Sequence, residues 1–284
     1  MGIRRAVFAG SWYPSSAKAC EKEIAAFIEE DTLNPSEADV FFGGIVPHAG
    51  WYFSGSLACR VIRALQDNLG VDVVLLFGMH LGPSSPAYMM AEGGWETPFG
   101  QLDVDEAITR ALIDKYTFQV ETWNKFTQDN TIELQLPFVK YFHPKAQIVA
   151  IGIPPLAEAL EIGKHAVRLA VEQGKRVKVI GSTDLTHYGS NYGFSPKGSG
   201  PEALTWARDQ NDRNIIDAML AMDPQTTLRQ AQQHQSACCS GAAAAAITAA
   251  REMGATAALE VDYQNSYEKS PGDSFVGYTG ILFQ

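Results

Sequence analysis

Val71-Asp72-Val73-Val74-Leu75-Leu76-Phe77-Gly78-Met79-His80-Leu81-Gly82-Pro83 is the stretch on which the fold class turns. Val71 to Gly78 is a run dominated by β-branched and large apolar residues. It lacks the polar alternation of a half-exposed strand, so it reads as a strand buried on both faces. The run ends in Gly78 and releases a histidine into a turn containing Gly82 and Pro83. The same arrangement recurs on either side. Phe41–Val46 leads into Pro47-His48-Ala49-Gly50. Arg176–Gly181 leads into Ser182-Thr183-Asp184-Leu185-Thr186-His187-Tyr188-Gly189.

Helical and extended patterns alternate around these three strands. Further strands are predicted at Ala87–Ala91, Gln101–Val104, Gln147–Ile153, Ala257–Tyr263 and Phe275–Phe283. Helices are predicted at Ser54–Gln66, Asp105–Tyr116, Thr131–Phe142 (bent or restarted at Pro137), Ala157–Gln173, Pro201–Met222, Pro224–Gln233 and Gly241–Arg251. The last is Ala-rich and strongly helical by propensity. Ser190–Gly200 and Gln264–Asp273 read as loops. No repeat and no long linker divides the chain. The expectation is an α/β fold, one domain over 1–284, with three layers (α/β/α) around a mostly parallel or mixed central sheet. In such sheets ligands bind beyond the carboxyl ends of the strands.

The chain has 284 residues, 46% of them hydrophobic and 19% charged, and a formal charge of -10. That charge disfavours nucleic acid and anionic membrane as partners, since both need a basic face. No charged-then-apolar leader opens the sequence, and no apolar run nears the ~20 residues of a membrane span. The expectation is a cytoplasmic protein. Its four cysteines, Cys20, Cys59, Cys238 and Cys239, form no CxxC pair and are expected to be reduced.

Three strands thus deliver His48, His80 and His187 to one sheet edge. His143, His165 and His234 lie in helices or at helix ends and read as surface residues. Asp184, three residues before His187, reads equally as a loop cap or as a group that orients an imidazole or holds a substrate. Cys238 precedes the Ala-rich helix, where a thiol gains thiolate character; a buried, inert cysteine is the equal alternative. Two histidines and a thiolate can form a three-ligand metal site with open positions. The same residues can form a Cys-His-Asp nucleophilic site.

Together these segments resemble the Memo family, whose bacterial members are called AmmeMemoRadiSam system protein B. The resemblance runs nearly end to end. It rests on Arg4-Arg5-Ala6-Val7-Phe8-Ala9-Gly10-Ser11-Trp12-Tyr13-Pro14, Pro47-His48-Ala49-Gly50, Gly78-Met79-His80, Trp95-Glu96-Thr97-Pro98-Phe99-Gly100, the Ser182–Gly189 segment and Ala237-Cys238. The Memo family is similar in fold to class III extradiol ring-cleavage dioxygenases, which hold non-haem Fe(II) through two histidines and a carboxylate and use a further histidine as acid/base. The resemblance implies His48 and His80 as metal ligands, Cys238 in place of the carboxylate, His187 as acid/base, and iron or copper as the ion. Eukaryotic members are described as mediators of receptor-driven cell motility, and some as binding phosphotyrosine peptides in the same pocket.

The chain departs from the family pattern twice. Asp129-Asn130-Thr131-Ile132-Glu133 lacks a histidine usual in that pocket. Cys239 stands where a glycine usually follows the ligand cysteine, so a shift of one residue would exchange Cys238 and Cys239. A thiolate in place of a carboxylate softens the site and makes ring cleavage a poor default, because fold does not carry function. Three readings follow. The first is a metal-dependent oxidoreductase acting on an unknown small molecule. The second is a non-catalytic binding or scaffold protein that takes an anionic or phosphopeptide ligand. The third is a Cys238/His187 hydrolase.

Overall fold

The computed structural model describes residues 2–31, 33 and 39–284. In chain order its elements are β1 (Ile3–Arg4), α1 (Ala17–Glu29), β2 (Gly43–Val46), α2 (Ser56–Ala64), β3 (Val73–Gly78), β4 (Ala87–Met90), β5 (Gly94–Thr97), β6 (Gly100–Asp103), α3 (Glu106–Lys115), β7 (Phe118–Glu121), α4 (Asn130–Glu133) and α5 (Leu136–Phe142). There follow β8 (Gln147–Gly152), α6 (Ala157–Glu172), β9 (Val177–Ser182), β10 (His187–Tyr188), α7 (Pro201–Trp206), α8 (Arg213–Leu220), α9 (Pro224–His234), α10 (Ser240–Glu252), β11 (Ala258–Asn265) and β12 (Phe275–Phe283).

The apolar run β3 lies near the centre of the main sheet, whose order is β10-β12-β2-β9-β3-β8-β4-β7, with β11 beside β12. β2, β9, β3 and β8 are mutually parallel. β12 joins β2 antiparallel and β4 joins β8 antiparallel, so the sheet is mixed. Alternate residues of one strand feed two cores. Val73, Leu75 and Phe77 pack with Ile162, Ala166, Ile215 and the alanines of α10. Val74 and Leu76 pack on the other face with Ile24, Val61, Ile62 and Phe138. Helices on both faces explain why β3 carries no polar alternation.

The Ala-rich segment is helical, as α10, but propensity is not its main reason. A Cβ on Gly163 of α6 would lie 2.6 Å from the Ala245 carbonyl oxygen, and one on Gly181 of β9 would lie 2.8 Å from Ala246 Cβ. α10 is wedged against both neighbours, and only small side chains let the backbones approach so closely.

Pro137 restarts the helix as expected, splitting it into α4 and α5. The expected helix over Pro201–Met222 is interrupted by a π-helical stretch, Ala207–Asp212. That stretch carries Asp212, whose carboxylate accepts hydrogen bonds from the Thr186 N–H and the Tyr263 hydroxyl. It thereby clamps the loop carrying His187. The small sheet β1-β5-β6 was legible only at β6, and α1 not at all. One expectation fails: His143 is not a surface residue but 5% exposed, packed at the end of α5. His234 is exposed as expected, and His165 is half-buried.

Candidate metal centre

The parallel register brings the strand ends level: Val46 lies opposite Ser182, and Phe77 opposite Gly181. Each strand then continues two residues further to His48, His80 or Asp184. Cys238 reaches the same place from the segment before α10, where its N–H donates to the Asp184 carbonyl (3.2 Å). A Cβ on Gly241 would meet the Pro154 carbonyl oxygen at 2.6 Å, so the start of α10 is pressed onto the loop after β8.

The imidazoles of His48 and His80 face each other at 4.9 Å between centroids, nearly perpendicular (82°). Each has one nitrogen committed elsewhere. His48 Nδ1 lies 3.0 Å from Ser182 Oγ, whose own proton goes to the Thr131 carbonyl (2.7 Å). Ser182 therefore accepts from Nδ1–H, and the neutral ring keeps a lone pair on Nε2. His80 Nδ1 lies 3.2 Å from Asp129 Oδ2. A carboxylate only accepts, so His80 too carries its proton on Nδ1 and leaves Nε2 free. His48 Nε2 is 3.2 Å from Cys238 Sγ. The donor atoms of His48, His80, Cys238 and Cys239 all lie within 4.8 Å of one another.

Charge reinforces the cluster. Burial opposes the His48 imidazolium, but Asp184 and Cys238 outweigh it and raise its pKa. Burial likewise opposes charge on His80, yet its hydrogen bonds to Asp129 and Cys238 push it up to about 10. Asp129 is itself buried, and bonds from His80 and Thr131 hold it at about 2. Burial alone would raise the Cys238 thiol; the hydrogen bond with Cys239 and the charge of His48 hold it well below the ordinary thiol value. A thiolate at Cys238 and positive charge on the two imidazoles thus favour one another.

Asp184 and His187 take separate places around the cluster. Asp184 is buried and accepts the His48 N–H (2.7 Å), with its other oxygen 3.8 Å from His48 Nε2. It holds the His48 turn rather than orienting His187. His187 Nδ1 lies 3.1 Å from the Leu185 carbonyl, to which it donates, and its ring meets Tyr192 edge-on. The imidazole paired with the thiol is His48, not the His187 of the hydrolase reading.

The sequence did not single out Asp129, Ser182 and Thr131 as site residues. Thr131 Oγ1 bonds Asp129 and accepts the N–H of Met79, which sits at φ 71° and turns the chain into His80. Asn130, in the segment lacking the usual histidine, lines the cleft and donates to the His48 carbonyl (2.9 Å). Glu133 faces away from it and accepts from the Phe8 N–H and the Tyr13 hydroxyl, tying down the amino-terminal motif.

The cluster opens into a cleft of about 580 Å³, rimmed by Trp12, Tyr52, Phe53, Tyr192 and Tyr278. A second recess of about 520 Å³ adjoins Cys238 on the far side. His187 and Tyr192 stand between the two and line both.

The sequence profile of the family described as Memo-like protein matches residues 4–282. A MEMO1 family protein of Methanosarcina acetivorans is 32% identical over 291 residues, covering 100% of both chains. Another, of Pyrococcus furiosus, is 30% identical over 291 residues, covering 99% of each. Among solved structures, an uncharacterized protein from Escherichia coli K12 superposes with a TM-score of 0.55 at 11% identity, covering 85% of this chain and 99% of that one. That likeness concerns the fold alone.

Proposed function

The chain belongs to the Memo-like protein family, and from that premise we propose that His48, His80 and Cys238 are the ligands of a metal ion in an oxidoreductase acting on a small organic molecule. One observation carries this reading. Both imidazoles have Nδ1 tied off by a hydrogen-bonding partner, which leaves two Nε2 atoms converging on one thiolate. Metal-bound histidines are commonly oriented in this way. The donor set fits a borderline-soft ion, with iron and copper the candidates. Bound there, such an ion would supply Lewis-acid or redox chemistry at a position left open by three protein ligands.

The other residues take roles around it. His187 donates Nδ1–H to Leu185 and so presents Nε2 to the cleft as a proton acceptor, the arrangement of a general base. Asp184 positions His48 through its N–H. The cleft's rim offers aromatic faces and the hydroxyls of Ser11, Ser266 and Ser274, and its described lining contains neither Arg nor Lys. Such a lining suits a neutral, planar molecule better than a phosphate, which argues against the phosphopeptide alternative.

The Cys238–His48 contact at 3.2 Å also favours a second reading, a thiolate nucleophile. Anaerobic reconstitution separates the two. On the metal reading, Fe(II) or Cu(I) binds the native protein near one equivalent, the His48→Ala/His80→Ala variant does not bind, and the ion protects Cys238 from iodoacetamide. Equal binding by both proteins refutes it. Rapid labelling of Cys238 by an acyl probe in the presence of the ion would support the nucleophile.

A further inference from the structure

We infer that Cys239 is a fourth donor to the same centre, so that this chain holds its ion in a closed tetrahedral set of two imidazoles and two thiolates. The inference rests on the metal reading and deepens it. Cys239 is 3% exposed and would ordinarily count as core packing. Its sulfur nevertheless lies within 4.8 Å of the donor atoms of His48, His80 and Cys238. Its backbone is fixed for this. Cys239 N–H donates to Thr183 Oγ1 (3.1 Å), on the loop from β9. The residue sits at φ -127° and ψ 52°, outside the helix that it precedes. The two neighbouring thiols are thus both turned toward the histidines.

With zinc–sulfur bonds of about 2.3 Å and zinc–nitrogen bonds of about 2.0–2.1 Å, a tetrahedral site spaces its donors about 3.3–3.8 Å apart. The His48–Cys238 separation of 3.2 Å is already close to that spacing. The remaining donors need a contraction of about 1.5 Å at most, within the reach of side-chain rotation. Two nitrogens and two sulfurs in a tetrahedron select Zn(II) or Cu(I) over the harder ions. On binding, Cys238 enters as the thiolate and Cys239 releases its proton to solvent. All four positions are then filled by protein, and a position for substrate opens only when Cys239 leaves. Cys239 would in this way set whether the centre is closed and holding or open and reactive.

Cobalt(II) is the probe, added anaerobically to the metal-free protein. Charge-transfer absorbance from thiolate to cobalt scales with the number of sulfur ligands. The expected result is that the native protein absorbs about twice as strongly per bound cobalt as Cys239→Ala or Cys239→Ser. Equal absorbance in native and Cys239 variants, lost only in His48→Ala/His80→Ala, overturns the inference and leaves the three-ligand reading intact. Absence of the band in the native protein overturns both. X-ray absorption of the zinc-loaded native protein needs no variant: two sulfurs in the first coordination sphere support the inference, and one refutes it.

Discussion

Asp129→Asn tests how far the centre depends on a residue that touches no ion. Asp129 Oδ2 accepts from the His80 N–H and lies against His80 Nδ1, both at 3.2 Å. Its Oδ1 accepts from the Thr131 N–H (2.9 Å) and from the Thr131 hydroxyl. Asparagine has the same shape but only one acceptor oxygen. If that oxygen keeps the two Thr131 bonds at the start of α4, the amide nitrogen must face His80. His80 can meet it only by accepting at Nδ1, which moves the ring proton to Nε2, the nitrogen the ion needs. The His80 N–H then also loses its acceptor. Loss of such an outer partner lowers metal affinity about 10–100-fold, or about 1.4–2.8 kcal/mol. Competition against a chromophoric chelator at neutral pH measures the affinity. Nitrogen chemical shifts of His80 in the metal-free protein, recorded above its pKa of about 10 where the ring is neutral, report the tautomer. An affinity within twofold of the native value, in a variant whose helix content is unchanged, would refute the reasoning.

His143 is buried with its Nε2 unpartnered, and burial lowers its pKa to about 4 from an ordinary 6.5. The unfolded chain therefore takes up a proton between these values while the folded protein does not. Stability from this residue is complete above pH 6.5 and is lost as pH falls toward 4, by about 3 kcal/mol in all. Urea denaturation of the metal-free protein should show His143→Phe gaining on the native chain by that amount between pH 7 and 4; a pH-independent difference would contradict it. Gly163→Ala separates propensity from packing. Propensity alone favours alanine by roughly 1 kcal/mol, but the added Cβ would meet the Ala245 carbonyl oxygen at 2.6 Å. Destabilisation of about 1–3 kcal/mol is expected, and a raised melting temperature would show that α6 and α10 are not so tightly apposed.

The strand-end histidines were legible because their signal is local. An apolar run, a glycine or proline and then a histidine can be read within a dozen residues, and parallel β-strands bring such ends together by rule. His143 misled for the same reason: a histidine at a helix end reads as exposed until Ile62 and Lys178 are packed around it. α1 is amphipathic but hard to read in the sequence, because its apolar stripe is narrow, with Cys20 and Ile24 as its buried residues.

Local patterning specified the α/β class, the central strands and the identity of the converging side chains. Which nitrogen of each imidazole is free was decided only by the folded chain. Ser182 is 134 positions from His48, and Asp129 is 49 from His80. An oxygen becomes a hydrogen-bond partner only when the sheet register carries it within about 3 Å. Cys239 makes the same point. In the sequence it is a neighbour that competes with Cys238 for one role, and in the fold the turn before α10 presents both sulfurs to the same pair of histidines.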